Sequence, residues 1–398
     1  MLKGKVVLLG VTGGIAAYKA AALCSALVKT NATVEVVMTK NATEFIAPLT
    51  FEQLTGNKCL VDTFDRNFVH QVEHISLARR TDLVMIAPAT ANVCAKLAHG
   101  LADDMLTTTV LACKCPKLIA PAMNTGMWEN PVTQDNLKTL RHYGWEVIAP
   151  DSGRLACGDV GAGKLPEPEL LLEHIIRALA MPKDLAGKQV LITAGATCEA
   201  LDPVRFITNH SSGKMGFALA KAAMLRGAEV KAICGSTTVA PPPFVEVIKV
   251  QSAAQMFEAV REHSREADFV FKAAAVADYT PAEPAAEKMK KKDGALSIPL
   301  KRTEDILAWL GANRRPGQVL CGFSMETENV LENSKEKLKK KGVDMICAND
   351  LRQAGAGFGV DTNVITLITA EDVRQLPLMS KEAAANAILD RALMLAGK

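Results

Sequence analysis

The chain has 398 residues, 49% of them hydrophobic and 22% charged, with a formal net charge of +3. That length exceeds one ordinary core and predicts two domains, and the near-neutral balance excludes the strongly charged surfaces of nucleic-acid or anionic-membrane binders. The ten cysteines lack zinc-like spacing, and no apolar stretch approaches membrane-spanning length, so the expectation is a cytoplasmic protein with reduced thiols.

Leu2–Leu9 reads as a first strand entering the small-residue turn Gly10-Val-Thr-Gly-Gly14. Ile15–Lys29 has the composition and apolar spacing of a helix, and Thr33–Met38 is the next strand. Thr81–Ala87, Lys117–Pro121 and Trp145–Pro150 follow as short buried strands between helical segments. A second opening of the same kind, Leu185–Ile192 into Thr193-Ala-Gly195, puts the boundary near Met181, giving domains 1–181 and 182–398. Beyond it, strands are expected at Glu229–Cys234, Val245–Val250, Asp268–Ala274, Gln318–Phe323, Val343–Ala348 and Asn363–Ile368. The alternation predicts an α/β fold of two Rossmann-like doubly wound domains with mainly parallel sheets, whose ligands bind beyond the carboxyl ends of the strands.

In the first domain those ends carry Gly13-Gly14, Thr39, Ala87-Pro-Ala-Thr90 with Asn92, and Pro121-Ala-Met-Asn124. Small residues let a flat ligand approach and leave amides for a phosphate, which predicts a mononucleotide. A plain tight turn explains Gly10-x-x-Gly13-Gly14 equally well, because it is not the dinucleotide fingerprint. His74 precedes a predicted helix, and a lone histidine there reads more readily as a surface or capping residue than as a functional one. Cys157 could be one more buried thiol, but its neighbours Asp151-Ser-Gly-Arg154 and Gly158-Asp-Val-Gly-Ala-Gly163 argue otherwise, because they make a glycine-rich flap where a thiol meets substrate.

His74, Pro121-Ala-Met-Asn-Thr-Gly-Met127 and Ala156-Cys-Gly-Asp159 resemble the phosphopantothenoylcysteine decarboxylases, among the flavin-dependent cysteine decarboxylases, over about residues 4–180. The resemblance implies FMN on the residues named above. It also implies oxidation of the substrate's thiol carbon to a thioaldehyde that accepts the electrons left by carbon dioxide. His74 would handle a proton, Asn124 would grip the carboxylate with Met127 nearby, and Cys157 would protonate the enethiol. Ala102-Asp-Asp-Met-Leu-Thr107 matches a segment that reaches a neighbouring subunit's flavin, implying a trimer. Lys164 stands where many relatives carry arginine, losing the bidentate fork.

In the second domain Arg205-Phe-Ile-Thr-Asn-His-Ser-Ser-Gly-Lys-Met-Gly216 leads into a helix, Phe217–Leu225, and Lys214 with Arg205 makes that entry an expected anion cradle. Asp278 ends a buried strand and suits a divalent metal riding on phosphates. The basic runs at Lys288–Lys292 and Lys335–Lys341 read by themselves as solvated faces. Arg205 to Asn209, Asp278, Lys288, Gly322-Phe-Ser-Met-Glu-Thr327, Lys337, Lys341 and Ala348-Asn-Asp350 together resemble phosphopantothenate–cysteine ligase of the bacterial, cytidylate-forming type, over about residues 186–395.

That resemblance implies nucleotide contacts from Asp278, Lys288, Glu304, Asp305, Ile306, Leu307, Phe323, Lys337 and Lys341, with Mg2+ or Mn2+ near Asp278. Arg205, Asn209, Ala274 and Ala275 would hold 4'-phosphopantothenate and its acyl-cytidylate across a dimer. The carboxylate would attack the α-phosphate of CTP and L-cysteine would then displace CMP, with Lys288 offsetting charge in the first step and Asn209 holding the intermediate for the second. Ala196 and Cys198 depart from the commoner residues of their turn. The expectation is a bifunctional coenzyme A biosynthesis enzyme, a homo-oligomer of trimers tied by dimers into a dodecamer. A regulatory or scaffold flavoprotein, and a peptidyl-cysteine decarboxylase with an inactive ligase domain, are the alternatives.

Overall fold

The structure, a computed structural model, describes residues 2–64, 73–156, 158–290, 297–326, 329–350, 357 and 359–397. The chain divides into two compact units, Met1–Met181 and Pro182–Lys398.

In the first unit five strands, Val6–Val11, Thr33–Met38, Leu83–Ala89, Lys117–Pro121 and Glu146–Val147, make one parallel sheet in the spatial order second, first, third, fourth, fifth. Leu83–Ala89 is buried at every position, as a central parallel strand covered on both faces must be. The core joins Leu8, Val84 and Ile86 of the sheet to Leu106, Leu137 and Leu140 of the helices. Gly10 permits this: a Cβ there would lie 2.5 Å from Ile86 Cδ1 and 2.7 Å from Leu106 Cδ1.

Two expected strands are displaced for local reasons. Thr81 belongs to the preceding helix end, its amide and hydroxyl both donating to Leu77 O, and Asp82 accepts the Val6 amide at 2.8 Å, so the strand starts at Leu83. Trp145–Pro150 contracts to Glu146–Val147, an edge strand paired on one side only, before the chain turns into the hairpin Asp151–Arg154 with Val160–Lys164.

The second unit holds an eight-stranded sheet in the order Glu246–Lys249, Glu229–Cys234, Gln189–Ala194, Phe269–Lys272, Val319–Glu326, Met345–Asp350, Ile365–Thr369, Val373–Gln375. The first six strands are parallel and the last two antiparallel. The parallel strand expected at Asn363–Ile368 is therefore an antiparallel one. Its hairpin to Val373–Gln375 turns over three residues, too few for a crossover, and Asn363 pairs with Met379 in a separate ladder. Val270, Leu191, Leu320, Leu307, Leu338 and Ile346 form the core. Among the described residues no helix is long and apolar enough to cross a membrane.

Each sheet reverses its winding between two central strands. In the first unit these end at Val11 and Ala89, and in the second at Ala194 and Lys272, so loops after those residues frame the crevices where ligands of such sheets sit.

Candidate functional site

In the first unit Thr12 ties the two sides of the crevice together. Its hydroxyl donates to Pro88 O at 2.8 Å and accepts the Thr90 amide at 3.0 Å, and the Ala87–Pro88 peptide is cis. The sequence reading missed Thr12, because a threonine inside a glycine turn looks like turn chemistry alone. A Cβ on Gly13 would come within 2.6 Å of Asn41, whereas at Gly14 it would meet nothing within 4 Å, which leaves room on the ligand side. The helix Ala17–Lys29 then starts from Ala16 without a side-chain cap, and its Ala17 and Lys19 amides donate to Gly14 O and Ala16 O.

Thr39, buried after the second strand, donates its amide to Val11 O. Ala87 and Ala89 are fully buried and offer backbone only, while Thr90 caps the helix Ala91–His99 and Asn92 is exposed in its first turn. Ile15 and Phe45, on loops at the same edge, are exposed apolar side chains that suit the face of a ring system. These residues fit a flavin mononucleotide.

Asn124 stands one strand further along. Its Oδ1 accepts the Gly126 amide at 2.8 Å and caps the helix Thr125–Glu129, on which Met127 is exposed. Its Nδ2 donates to Asp159 Oδ2 at 2.7 Å. The hairpin carrying Asp159 is pressed onto this loop: the Met123 amide donates to Gly163 O at 3.0 Å, and a Cβ on Gly163, whose φ is +140°, would stand 2.2 Å from Met123 O. Gly161 likewise abuts the Thr125 side chain. Cys157 lies outside the described residues. His74 is half-buried in the first turn of the helix Glu73–Arg80. Lys164 pairs with Glu167 at 3.3 Å, a carboxylate that also holds buried Lys19 at 2.9 Å. In the Ala102–Thr107 segment, Asp104 and Thr107 form a capping box for the helix Met105–Ala112.

In the second unit Asp278, Glu304, Asp305, Ile306, Leu307, Phe323, Lys337 and Lys341 all line one cavity of about 500 Å³. Lys272, Tyr279, Arg302 and Thr303 line it too and were not anticipated. Asp305 caps the helix Ile306–Ala312 through the Ala308 amide and forms an ion pair with Lys341. Burial opposes the ionisation of Asp305, but the hydrogen bonds from Lys341 and from that amide outweigh it and hold the carboxyl below its usual range. Lys337 Nζ donates to Phe323 O at 3.2 Å. Burial, reinforced by Lys337, pushes the Lys272 ammonium down to about 8.

Lys288 is exposed and outside the described lining of that cavity. Its neighbour Met289 accepts from Arg205 Nη2 at 2.8 Å and donates its amide to Asp202 at 3.1 Å. Asp202 is buried and also takes the amides of Val204 and Arg205 and the Arg205 guanidinium, which holds its carboxyl far below the usual range. Asp202, missed from the sequence, thus brings Arg205 beside Lys288. Asn209 is exposed and donates to Ala275 O at 3.2 Å, so the Arg205–Asn209 segment also reaches the Ala274–Ala275 strand end. At the expected anion cradle the helix is longer, Lys214–Leu225, and Lys214 is bound to Asp361 at 2.7 Å and to Gly359 O at 2.9 Å. Its charge is committed within the chain. Ala196 and Cys198 are buried, and the Cys198 thiol donates to Thr208 at 3.5 Å, a packing role. Among the described residues no group of three or more His, Cys, Asp or Glu side chains is placed to hold a metal by itself.

Residues 1–180 match the flavoprotein family, and residues 185–395 match the DNA/pantothenate metabolism flavoprotein C-terminal domain. The chain is 48% identical over 387 residues to the coenzyme A biosynthesis bifunctional protein CoaBC of Bacillus subtilis (strain 168), covering 96% of this chain and 95% of that protein. It is 46% identical over 390 residues to the protein of the same name from Vibrio cholerae, covering 98% of each. A crystal structure of the C-terminal domain of a CoaBC protein is 42% identical, covering 54% of this chain and 98% of that one, with a TM-score of 0.46.

Proposed function

The chain belongs to the family of bifunctional coenzyme A biosynthesis proteins, enzymes that join a decarboxylase to a ligase, and from that membership we propose a division of labour between its two units. The C-terminal unit ligates 4'-phosphopantothenate to L-cysteine at the expense of CTP, and the N-terminal unit decarboxylates the product to 4'-phosphopantetheine with FMN.

The observation that carries the reading is the Asn124 amide, whose Nδ2 already meets a carboxylate oxygen at 2.7 Å under a glycine-rich hairpin. An amide so oriented grips the carboxylate of a substrate without charge repulsion, and the hairpin excludes water while that group is lost. FMN, when bound, would supply a two-electron acceptor for the thiol-bearing carbon and give the same electron pair back after carbon dioxide has left, so no outside oxidant or reductant is consumed. His74 moves the accompanying proton, and Cys157 returns one to the enethiol carbon.

In the C-terminal unit the phosphopantothenate carboxylate attacks the α-phosphate, pyrophosphate leaves, and the amine of cysteine displaces CMP. Phe323 packs against the base, while Lys337 and Lys341 take up phosphate charge. Lys288 offsets charge in the first step. Asn209, at the Ala274–Ala275 strand end, holds the acyl-cytidylate for the second. Asp278 would be the protein's carboxylate for a divalent cation, which would offset phosphate charge there. Three chains complete each flavin site and two chains each ligase site, a dodecamer that light scattering would size.

Incubating the full chain with phosphopantothenate, CTP and cysteine, and following pyrophosphate, carbon dioxide and 4'-phosphopantetheine, tests the whole scheme. All three products are expected, with phosphopantothenoylcysteine accumulating in Asn124→Asp. Carbon dioxide released without CTP from phosphopantothenate and cysteine would contradict the order of steps.

A further inference from the structure

Lys272 is the last residue of a central strand whose other members, Phe269, Val270 and Phe271, are all buried. Successive side chains alternate across a sheet, so Lys272 shares its face with Val270, which packs in the core with Leu307 and Leu320. A third apolar side chain would have closed that face. The chain instead places an ammonium at the carboxyl end of the strand, on the wall of the 500 Å³ cavity. Among the described residues its Nζ makes one hydrogen bond, to Ala274 O at 3.2 Å. An ammonium has three donors, so two remain for a ligand. The charged groups that face it are Lys337, Asp305, Asp278 and Lys341.

The charge balance of the cavity depends on this residue. The lining includes four cations, Lys272, Arg302, Lys337 and Lys341, against three carboxylates, Asp278, Glu304 and Asp305. Lys341 is already paired with Asp305. Without Lys272 the lining carries no net positive charge, and a polyanion would gain little by entering. Position matters as well. Ala274 lies one residue from Ala275, whose carbonyl Asn209 holds, so Lys272 stands on the side of the cavity nearest the acyl substrate's strand end.

We propose that Lys272 is a binding and positioning residue for the polyphosphate of the nucleotide, holding it at the junction between the cavity and the Ala274–Ala275 strand end. The proposal rests on the reading of this cavity as the CTP site. Nothing in the proposed chemistry requires Lys272 to accept or release a proton; it neutralises charge and fixes the reacting phosphate beside the incoming carboxylate.

The test uses the full-length flavoprotein with three probes: CTP, inorganic tripolyphosphate and cytidine. Lys272→Met, which keeps the length and apolar stem, is expected to weaken CTP and tripolyphosphate roughly 10-fold or more, the loss typical of a charged hydrogen bond, and to leave cytidine unchanged. Lys272→Arg should recover most of the loss, and the KM for CTP should rise more than kcat falls. In the unmodified protein, CTP should protect Lys272 from reductive methylation read by peptide mass spectrometry, a readout independent of how the variants fold. Equal labelling with and without CTP, or tripolyphosphate binding by Lys272→Met at the wild-type level, would overturn the role. Failure of Phe323→Ala and Lys341→Met to weaken CTP would instead remove the nucleotide reading of the cavity, and the role of Lys272 with it.

Discussion

The side-chain amide of Asn124 and the carboxylate of Asp159 are joined at 2.7 Å, across the gap between a strand end and a hairpin that is itself locked down by Gly163. A carboxylate of the chain thus occupies the partner position that a substrate carboxylate would claim.

Asn124→Asp should therefore fail twice, by repelling the substrate and by repelling Asp159. Decarboxylation is expected to fall at least ~10²-fold, the scale of one lost electrostatic contact, while the flavin stays bound. Product mass spectrometry and the visible absorption of the purified protein measure the two effects. Normal turnover, or colourless protein, would contradict the role.

Gly163→Ala should loosen the hairpin without touching any group that reacts. The added methyl would press on Met123 O at a backbone angle that side chains avoid, at a cost of about 1–3 kcal/mol. The expected outcome is earlier thermal release of flavin and slower decarboxylation, with ligation unchanged. Equal loss of both activities would show that the hairpin does not serve one unit alone.

Lys288→Gln and Asn209→Asp should separate the two halves of ligation. The first keeps length and removes charge, so pyrophosphate release from CTP and phosphopantothenate, without cysteine, should drop on the order of 10²–10³-fold. The second should still release pyrophosphate and retain the acyl-cytidylate, visible by mass spectrometry of the bound product. Equal release by both variants would mean the roles are assigned wrongly.

The depressed pKa of Lys272, about 8 against an ordinary 10.5, gives a pH dependence with a definite sign. A polyanion favours the charged ammonium, so CTP binding should take up protons, and its affinity should fall as pH rises through 8. Lys272→Met should flatten that limb. In the free protein the unfolded chain holds more protons than the folded one between those two values, so this group's contribution to stability rises with pH across the window. Calorimetry in two buffers of different ionisation enthalpy reads the uptake directly. Binding with no proton exchange near pH 8 would contradict the assignment.

Much of the architecture was legible because strand runs and the small residues that end them are local signals. Gly13, Thr39, Thr90 and Asn124 follow strands, and the topology puts them on one edge. Less legible was anything decided by a side chain's partner far away in sequence. Lys214 has every local mark of an anion ligand, yet Asp361, 147 residues later, holds its ammonium. Arg302 enters the cavity from a short strand paired with Tyr279, and no periodicity announces that pairing. Asp202 carries no local mark of a site residue, since one of the donors it gathers, the Met289 amide, lies 87 residues later. The direction of Ile365–Thr369 was likewise hidden, because a short apolar run reads the same in parallel and antiparallel neighbours.

The ion pair between Asp305 and Lys341 makes anion binding in the 500 Å³ cavity an exchange instead of a capture. A small monovalent anion arriving at Lys341 must displace a tethered carboxylate and gains nothing over it, since the local concentration of Asp305 is fixed by its helix cap. A chain of phosphates can trade that single contact for several at once, on Lys272, Arg302 and Lys337. Chloride, which carries one charge, would thereby be discriminated against by valence alone.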